Sequence, residues 1–169
     1  GRSASLTAPN GNAQQQLLVA ALLDAQAATD AVALHEAHGT GTSLGDPIET
    51  GAVAAVSRTR STPPLTVVGI KANIGHTEPA AGVIGLLNLA MSLQWGEAPP
   101  NAQLRVLNPH VAVALPSGGC ALSTLASELN SQHHSDIGGV SSFGYSGTIA
   151  HAVLRRMAAD DEPPQVNSA

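Results

Sequence analysis

Aromatic residues are scarce, with one Phe, one Trp and one Tyr among 169 residues. So thin a set argues against a surface that stacks nucleobases. Basic residues are scarce too. The 7 Lys and Arg face 12 Asp and Glu, a net charge of −5, and a phosphate-backbone binder needs the opposite balance to release counterions. A single cysteine, Cys120, excludes a disulfide framework or a multi-cysteine metal site within the chain. No long apolar run is present. The most apolar stretch, Pro79 to Trp95, holds Asn88, Ser92 and Gln94 and falls short of the roughly 20 apolar residues a membrane span needs. The opening GRSASLTAPNGN is polar and lacks the hydrophobic segment of a signal peptide. Charged residues make up only 11% against 43% apolar, so the composition is not that of a disordered chain. The length corresponds to one domain at most, with a core of Ala, Val and Leu rather than rings.

No internal repeat is visible. Residues 1–12 read as a loop with turn chemistry at Pro9-Asn10-Gly11. From Ala13 to about Ala28 the spacing predicts a helix with Leu17, Leu18, Ala21, Leu22 and Ala25 on one face and Gln14, Gln15, Asp24 and Gln26 off it. Ala31 to Glu36 reads as a strand, followed by a Gly/Thr-rich loop. A second helix is expected to start with Asp46 as N-cap, Pro47 at the first helical position and Glu49 three residues after the cap. Its predicted buried stripe is Ile48, Ala52, Ala55 and Val56. Leu65 to Ile70 reads as a buried strand, Lys71 to Glu78 as a loop, and Pro79 to Trp95 as a helix apolar nearly all round, hence buried on all sides. After Gly96 the chain is expected to be irregular until two strands, Ile137 to Ser142 and Thr148 to Leu154, form a hairpin-like pair. Helices alternating with strands predict an α/β layered fold over residues 1–155, with 156–169 a polar, Pro-rich tail. A leading helix with no strand before it implies that the first strand lies upstream of Gly1.

Three loops, each at a predicted strand end, carry the candidate chemistry, and strand ends are where sites gather in open α/β sheets. The first runs Glu36-Ala-His38-Gly-Thr40-Gly-Thr42-Ser-Leu-Gly-Asp46-Pro-Ile-Glu49. His35 and His38 are three apart rather than four, so this is not the HExxH zinc helix, and no Gly-Lys-Ser/Thr ending makes it a P-loop. The second runs Lys71-Ala-Asn73-Ile-Gly75-His76-Thr-Glu78. His76 is placed just ahead of an apolar helix, whose positive end and burial disfavour imidazolium. A neutral imidazole there can donate to an oxygen that is becoming negative, although a capping His, or Thr77 in that role, is the plainer reading. The third runs Phe143-Gly-Tyr145-Ser-Gly147-Thr-Ile149-Ala-His151, a tight turn able to present backbone N–H groups to an anion.

Taken together and in this order, the segments from GRSASLTAPNGNAQQQLL through SSFGYSGTIAHAVL resemble the C-terminal half of the ketosynthase domain of polyketide synthases, within the β-ketoacyl synthase family. The resemblance implies a thiolase-like layered α/β fold and decarboxylative Claisen condensation. His38, in HGTGT, and His76, in NIGH, match the family histidines that hold the malonyl thioester carbonyl as carbon dioxide leaves. Lys71 matches a lysine that holds the local network. Asp46 and Glu49 match supporting acids, with Glu49 the candidate partner of Lys71. Thr40 and Thr42 match contacts to the phosphopantetheine arm, Phe143 shapes the acyl pocket, and the Tyr145 backbone N–H belongs to the acyl oxyanion hole. The family uses no metal or organic cofactor of its own. It works as a homodimer on substrates carried by an acyl carrier protein, and a cytoplasmic location is expected for this chain. The N-terminal half of the domain is the remaining implied partner.

The chain departs from the pattern in two places. The nucleophilic cysteine motif is absent, and Cys120 is read as a small buried hydrophobe. Ile149 stands where the family carries Asn, which is not one of the reacting groups. Because the nucleophile is absent, the chain alone is expected to be inactive. The alternative is a non-catalytic half-domain that binds a carrier or a partner half. A true thiolase would need a second catalytic cysteine where FGYSGT stands, and a metal site at the adjacent His133 and His134 is disfavoured.

Overall fold

The computed structural model describes residues 8–60, 63–115, 119–129 and 136–157. The helices are α1 (Gly11–Asp24), α2 (Gly45–Ser57), α3 (Lys71–Ile74), α4 (Ala81–Trp95) and α5 (Pro109–Ala114). The strands are β1 (Val32–Glu36), β2 (Leu65–Val68), β3 (Glu97–Ala98), β4 (Cys120–Leu122), β5 (Ser127–Glu128), β6 (Ile137–Phe143) and β7 (Ile149–Arg155). The main sheet has the order β4-β2-β1-β6-β7, and β3 pairs with β5 apart from it. β1 runs parallel to β2 and β6, β2 runs parallel to β4, and β6 turns back antiparallel into β7.

The sheet buries both faces. One core cluster joins Leu18 of α1, Ala52 and Val53 of α2, and Val32, Leu65 and Ile137 of the strands. The other joins Leu89 and Leu93 of α4 with Leu34, Val68 and Val140. Strict alternation would put Val32 and Leu34 on the same face. A register shift between them against β6 lets them serve opposite clusters. Beyond that irregularity Leu34 and Glu36 face α4, and His35 faces α1 and α2. Helix α4 lies close on the sheet because Gly138 has no side chain. A Cβ there would stand 2.5 Å from Leu89 Cδ1 and 3.2 Å from the Leu34 carbonyl oxygen.

Several expectations need correction. α1 starts at Gly11, where Asn10 accepts the Ala13 N–H, and ends at Asp24. Gln14 is buried, not off the face, because it lies one turn before Leu18 on the same stripe. Asp46 is not the N-cap of α2. It sits inside the first turn and accepts the Gly41 N–H, while Thr42 Oγ1 accepts the Gly45 N–H. The buried stripe of α2 is Glu49, Ala52, Val53, Ala54 and Ser57, with Ala55 exposed. Lys71 to Ile74 forms a helical turn rather than a loop.

The stretch after Gly96 is not simply irregular. It supplies α5 and β4, the latter an edge strand whose signal was only three residues long. Cys120, on that edge, is half-buried. The largest difference is α4. Val83, Leu86, Leu87, Met91 and Trp95 are exposed along one side, so the helix is buried on the sheet face alone. His133 and His134 lie outside the described residues, as do 1–7 and 158–169. Arg156 belongs to the body, through a salt bridge to Asp136 at 2.5 Å and a bond to the Leu93 carbonyl. No helix among the described residues is long and apolar enough to cross a membrane.

Candidate active site

Because β2, β1 and β6 are parallel neighbours, their C-terminal ends lie at one edge of the sheet. The three candidate loops leave from that edge and surround a cavity of about 840 Å³. Its wall includes His38, Thr40 and Thr42 from the first loop, His76 from the second, and Phe143 and Tyr145 from the third. Glu49 and Ile149 reach it as well, whereas Lys71 and Asp46 do not.

His38 and His76 meet edge to face, ring centroids 5.7 Å apart and planes at 90°. Phe143 tilts against His38 at 5.5 Å. Burial, aided by the charge of Lys71 and by His76, pushes His38 down to about 4. Its imidazole is therefore neutral near neutral pH. His76 is exposed rather than buried, and its role at the turn differs from simple precedence to a helix. The Glu78 N–H donates to His76 Nδ1 at 3.3 Å, which leaves the ring proton on Nε2. Thr77 makes no side-chain cap bond. The turn bearing His76 is bent by Gly75 at φ +82° and by Glu78 at φ +47°, a left-handed conformation costly for Glu.

Glu49 straps the first loop. It is 5% exposed, and its two oxygens accept the N–H groups of His38 at 2.7 Å and Gly39 at 2.9 Å. The expected Glu49–Lys71 ion pair is not formed. Both Glu49 oxygens face backbone donors instead. Lys71 is half-buried, which lowers its pKa, against the opposing charges of Glu36 and then Glu49. Asp46 closes the glycine-rich loop on the Gly41 N–H at 3.1 Å, and burial raises its carboxyl. The Thr40 and Thr42 hydroxyls are 3.5 Å apart at the cavity mouth. Tyr145 points its side chain into solvent, 85% exposed.

Sequence reasoning missed two polar residues here. Gln14 lines the cavity and is buried; its spacing to Leu18 was the available signal. Glu36 is fully buried between β1 and α4, on the same face as Leu34 two residues earlier.

The family profile described as "Beta-ketoacyl synthase, C-terminal domain" matches residues 1–105. The chain belongs to that family. It is 43% identical over 166 residues to the "Spectinabilin polyketide synthase system protein NorA'" of Streptomyces orinoci, covering 97% of this chain and 4% of that protein. Against the "6-methylsalicylic acid synthase" of Penicillium terrestre it is 39% identical over 176 residues, covering 94% and 9%. Ketosynthase twelve of the bacillaene polyketide synthase from Bacillus amyloliquefaciens superposes with a TM-score of 0.83 at 29% identity, over 94% of this chain and 28% of that one. The module 6 ketosynthase of the bacillaene synthase from Bacillus subtilis 168 gives 0.83 at 29%, over 94% and 29%. The β-ketoacyl synthase chain thus spans under a third of these solved ketosynthases and under a tenth of these curated relatives. Its mixed sheet, with helices on both faces, is the thiolase-like fold of these ketosynthases, as the family resemblance implied.

Proposed function

We propose that this chain supplies the decarboxylation half of a polyketide synthase ketosynthase. The observation that carries the reading is the meeting of His38 and His76, from separate loops, on one cavity wall at 5.7 Å. Two imidazole N–H groups at one place can hold a single oxygen. In a malonyl thioester that oxygen is the thioester carbonyl. As the bond to the carboxylate breaks, its electron pair moves onto the carbonyl oxygen and carbon dioxide leaves. The enolate carbon then attacks an acyl-cysteine thioester, a C–C bond forms, and the cysteine leaves as thiolate. Donors aimed at charge that develops only in the transition state are worth about 2.7–4 kcal/mol each in comparable sites. A neutral His38 suits this role, and burial keeps it neutral.

Thr40 and Thr42, at the mouth, are assigned to the phosphopantetheine arm. Phe143 is assigned to the acyl pocket and the Tyr145 backbone N–H to the acyl oxyanion hole. Lys71 acts through its charge on the network and not as a nucleophile. The acylated cysteine comes from the N-terminal part of the domain. Cys120 does not line the histidine cavity and lies on the far edge strand instead. The same N-terminal part is the partner assigned to the apolar side of α4. An acyl carrier protein delivers both substrates, the full domain is a homodimer, and no metal or organic cofactor takes part.

Two experiments test this. In the intact ketosynthase, His38→Ala should cut malonyl-carrier decarboxylation by about 10²–10³-fold while self-acylation of the cysteine persists. Equal decarboxylation in variant and parent would refute the assignment. The chain by itself, incubated with acyl- and malonyl-carrier substrates, should yield no β-ketoacyl product, and product formation would show that it carries its own nucleophile.

A further inference from the structure

Glu36 is a carboxylic acid in the interface between sheet and helix, 0% exposed, where an apolar side chain would pack at no electrostatic cost. Its surroundings account for the acid. Oε1 accepts the Ile70 backbone N–H at 2.9 Å, and Oε2 accepts Asn88 Nδ2 of α4 at 2.8 Å. Ile70 immediately precedes Lys71 and opens the segment that ends in His76. Glu36 itself is two residues ahead of His38, at the end of β1. A third link crosses nearby, from the Ala37 N–H to the Val68 carbonyl at 2.8 Å. Room for the carboxylate comes from Gly85 of α4, where a Cβ would stand 3.4 Å from Glu36 Cγ and 3.8 Å from its Oε1. One buried group therefore fastens together the two loops that carry the histidines, and ties both to the helix behind them.

We propose that Glu36 is a positioning residue for decarboxylation. It holds the His76 segment at a fixed distance from the His38 segment, and Asn88 holds Glu36. The inference rests on the ketosynthase reading. Displacement of a reacting group by about 1 Å can cost about 10²-fold in rate, so the cost should appear in kcat and not in carrier binding.

The test uses the intact ketosynthase domain and measures three things: cysteine self-acylation, malonyl-carrier decarboxylation (kcat and KM separately), and thermal melting. Glu36→Leu keeps the bulk and leaves the Ile70 N–H unpaired. Its decarboxylation kcat should fall about 10- to 100-fold, with KM and acylation stoichiometry within about twofold of the parent. Glu36→Gln can accept the Ile70 N–H and donate to a reversed Asn88 amide, so it should recover most of the loss. Asn88→Ala, which leaves the Ile70 bond in place, should fall in between. Parental kcat in a folded Glu36→Leu domain overturns the proposal. So does a loss shared equally by acylation and decarboxylation, which marks a purely structural residue. A parent domain that acylates but never decarboxylates removes the ketosynthase reading itself, and this inference with it.

Discussion

Replacing Glu49 by Gln separates two roles of a buried carboxylate that usually travel together. Glu49 is 5% exposed, and its oxygens receive the His38 and Gly39 N–H groups. Burial pushes its carboxyl up to about 7 from 4.5, against the pull of those two donors and of Lys71. A carboxyl whose folded pKa is raised stabilises the fold below its unfolded value and loses that contribution as pH climbs toward 7. The gap between 4.5 and about 7 corresponds to about 3 kcal/mol. At pH 8, then, burying the charge costs about 3 kcal/mol, and Gln escapes that cost. Gln also loses one of two acceptors and turns an NH₂ toward a backbone N–H, a loss of about 1–3 kcal/mol. The two effects oppose each other and are similar in size.

Glu49→Gln should therefore melt within about 2 kcal/mol of the parent at pH 8. At pH 5 the parent carboxyl is protonated and stabilised, so the variant should be the weaker of the two. Geometry responds differently, because the loop bearing His38 is held by one bond where it had two. Malonyl-carrier decarboxylation in the intact domain should drop about tenfold or more at pH 8. Urea melts at both pH values, paired with decarboxylation kcat, give the readout. Unchanged kcat would refute the strap. A stability loss that is the same at both pH values would refute the charge argument.

Two further outcomes follow from the packing. Gly138→Ala places a Cβ 2.5 Å from Leu89 Cδ1 and should cost about 1–3 kcal/mol in urea unfolding; combining it with Leu89→Ala should cost less than the sum of the two single changes, and strict additivity would show that they do not collide. His35 is 3% exposed and stacks on His151 at 5.5 Å, with its pKa lowered to about 3 by burial and by His151. Below pH 6.5 the unfolded chain takes up a proton that the folded His35 refuses, so this contribution is present above pH 6.5 and is lost as pH falls toward 3. Glu36 and Glu49, raised to about 7, act with the opposite sign, so the difference between parent and His35→Phe is the quantity to follow. Between pH 6 and 4 the variant's acid slope should be shallower by about 1.4 kcal/mol per pH unit; parallel slopes would contradict a neutral buried His35.

The strong periodic segments were legible. Helices at α2 and α4, the strands β1 and β2, and the β6–β7 pair all carry enough apolar pattern to be placed. β4 and α5 were not, because three to six residues do not establish a period. The reading of α4 went wrong for a physical reason. A helix apolar all round must be covered all round, but the sequence does not say by what. Here the sheet covers the face of Ala81, Gly85, Leu89 and Leu93, and nothing among the described residues covers Val83, Leu87 and Trp95.

At the site, residue type was legible and connection was not. His38, His76 and Phe143 stand out as chemistry-bearing side chains in glycine-rich loops. The acids that hold them do not stand out, since Glu36 reads as the last residue of an apolar strand. Glu49 reads as a capping acid until the His38 N–H is seen on it. Which loops meet depends on strand order, and strand order is a tertiary fact. β1 comes first along the chain, yet it lies between β2 and β6. That central place puts His38 within reach of both His76 and Phe143. Had β6 paired with the outer edge of β2, the third loop would have opened beside Lys71 instead, and Phe143 could not have rested on His38. The convergence of the site is thus a consequence of which strand occupies the middle of the sheet, and the register of β1 against β6, from Leu34 opposite Gly138 to Glu36 opposite Val140, is what fixes it.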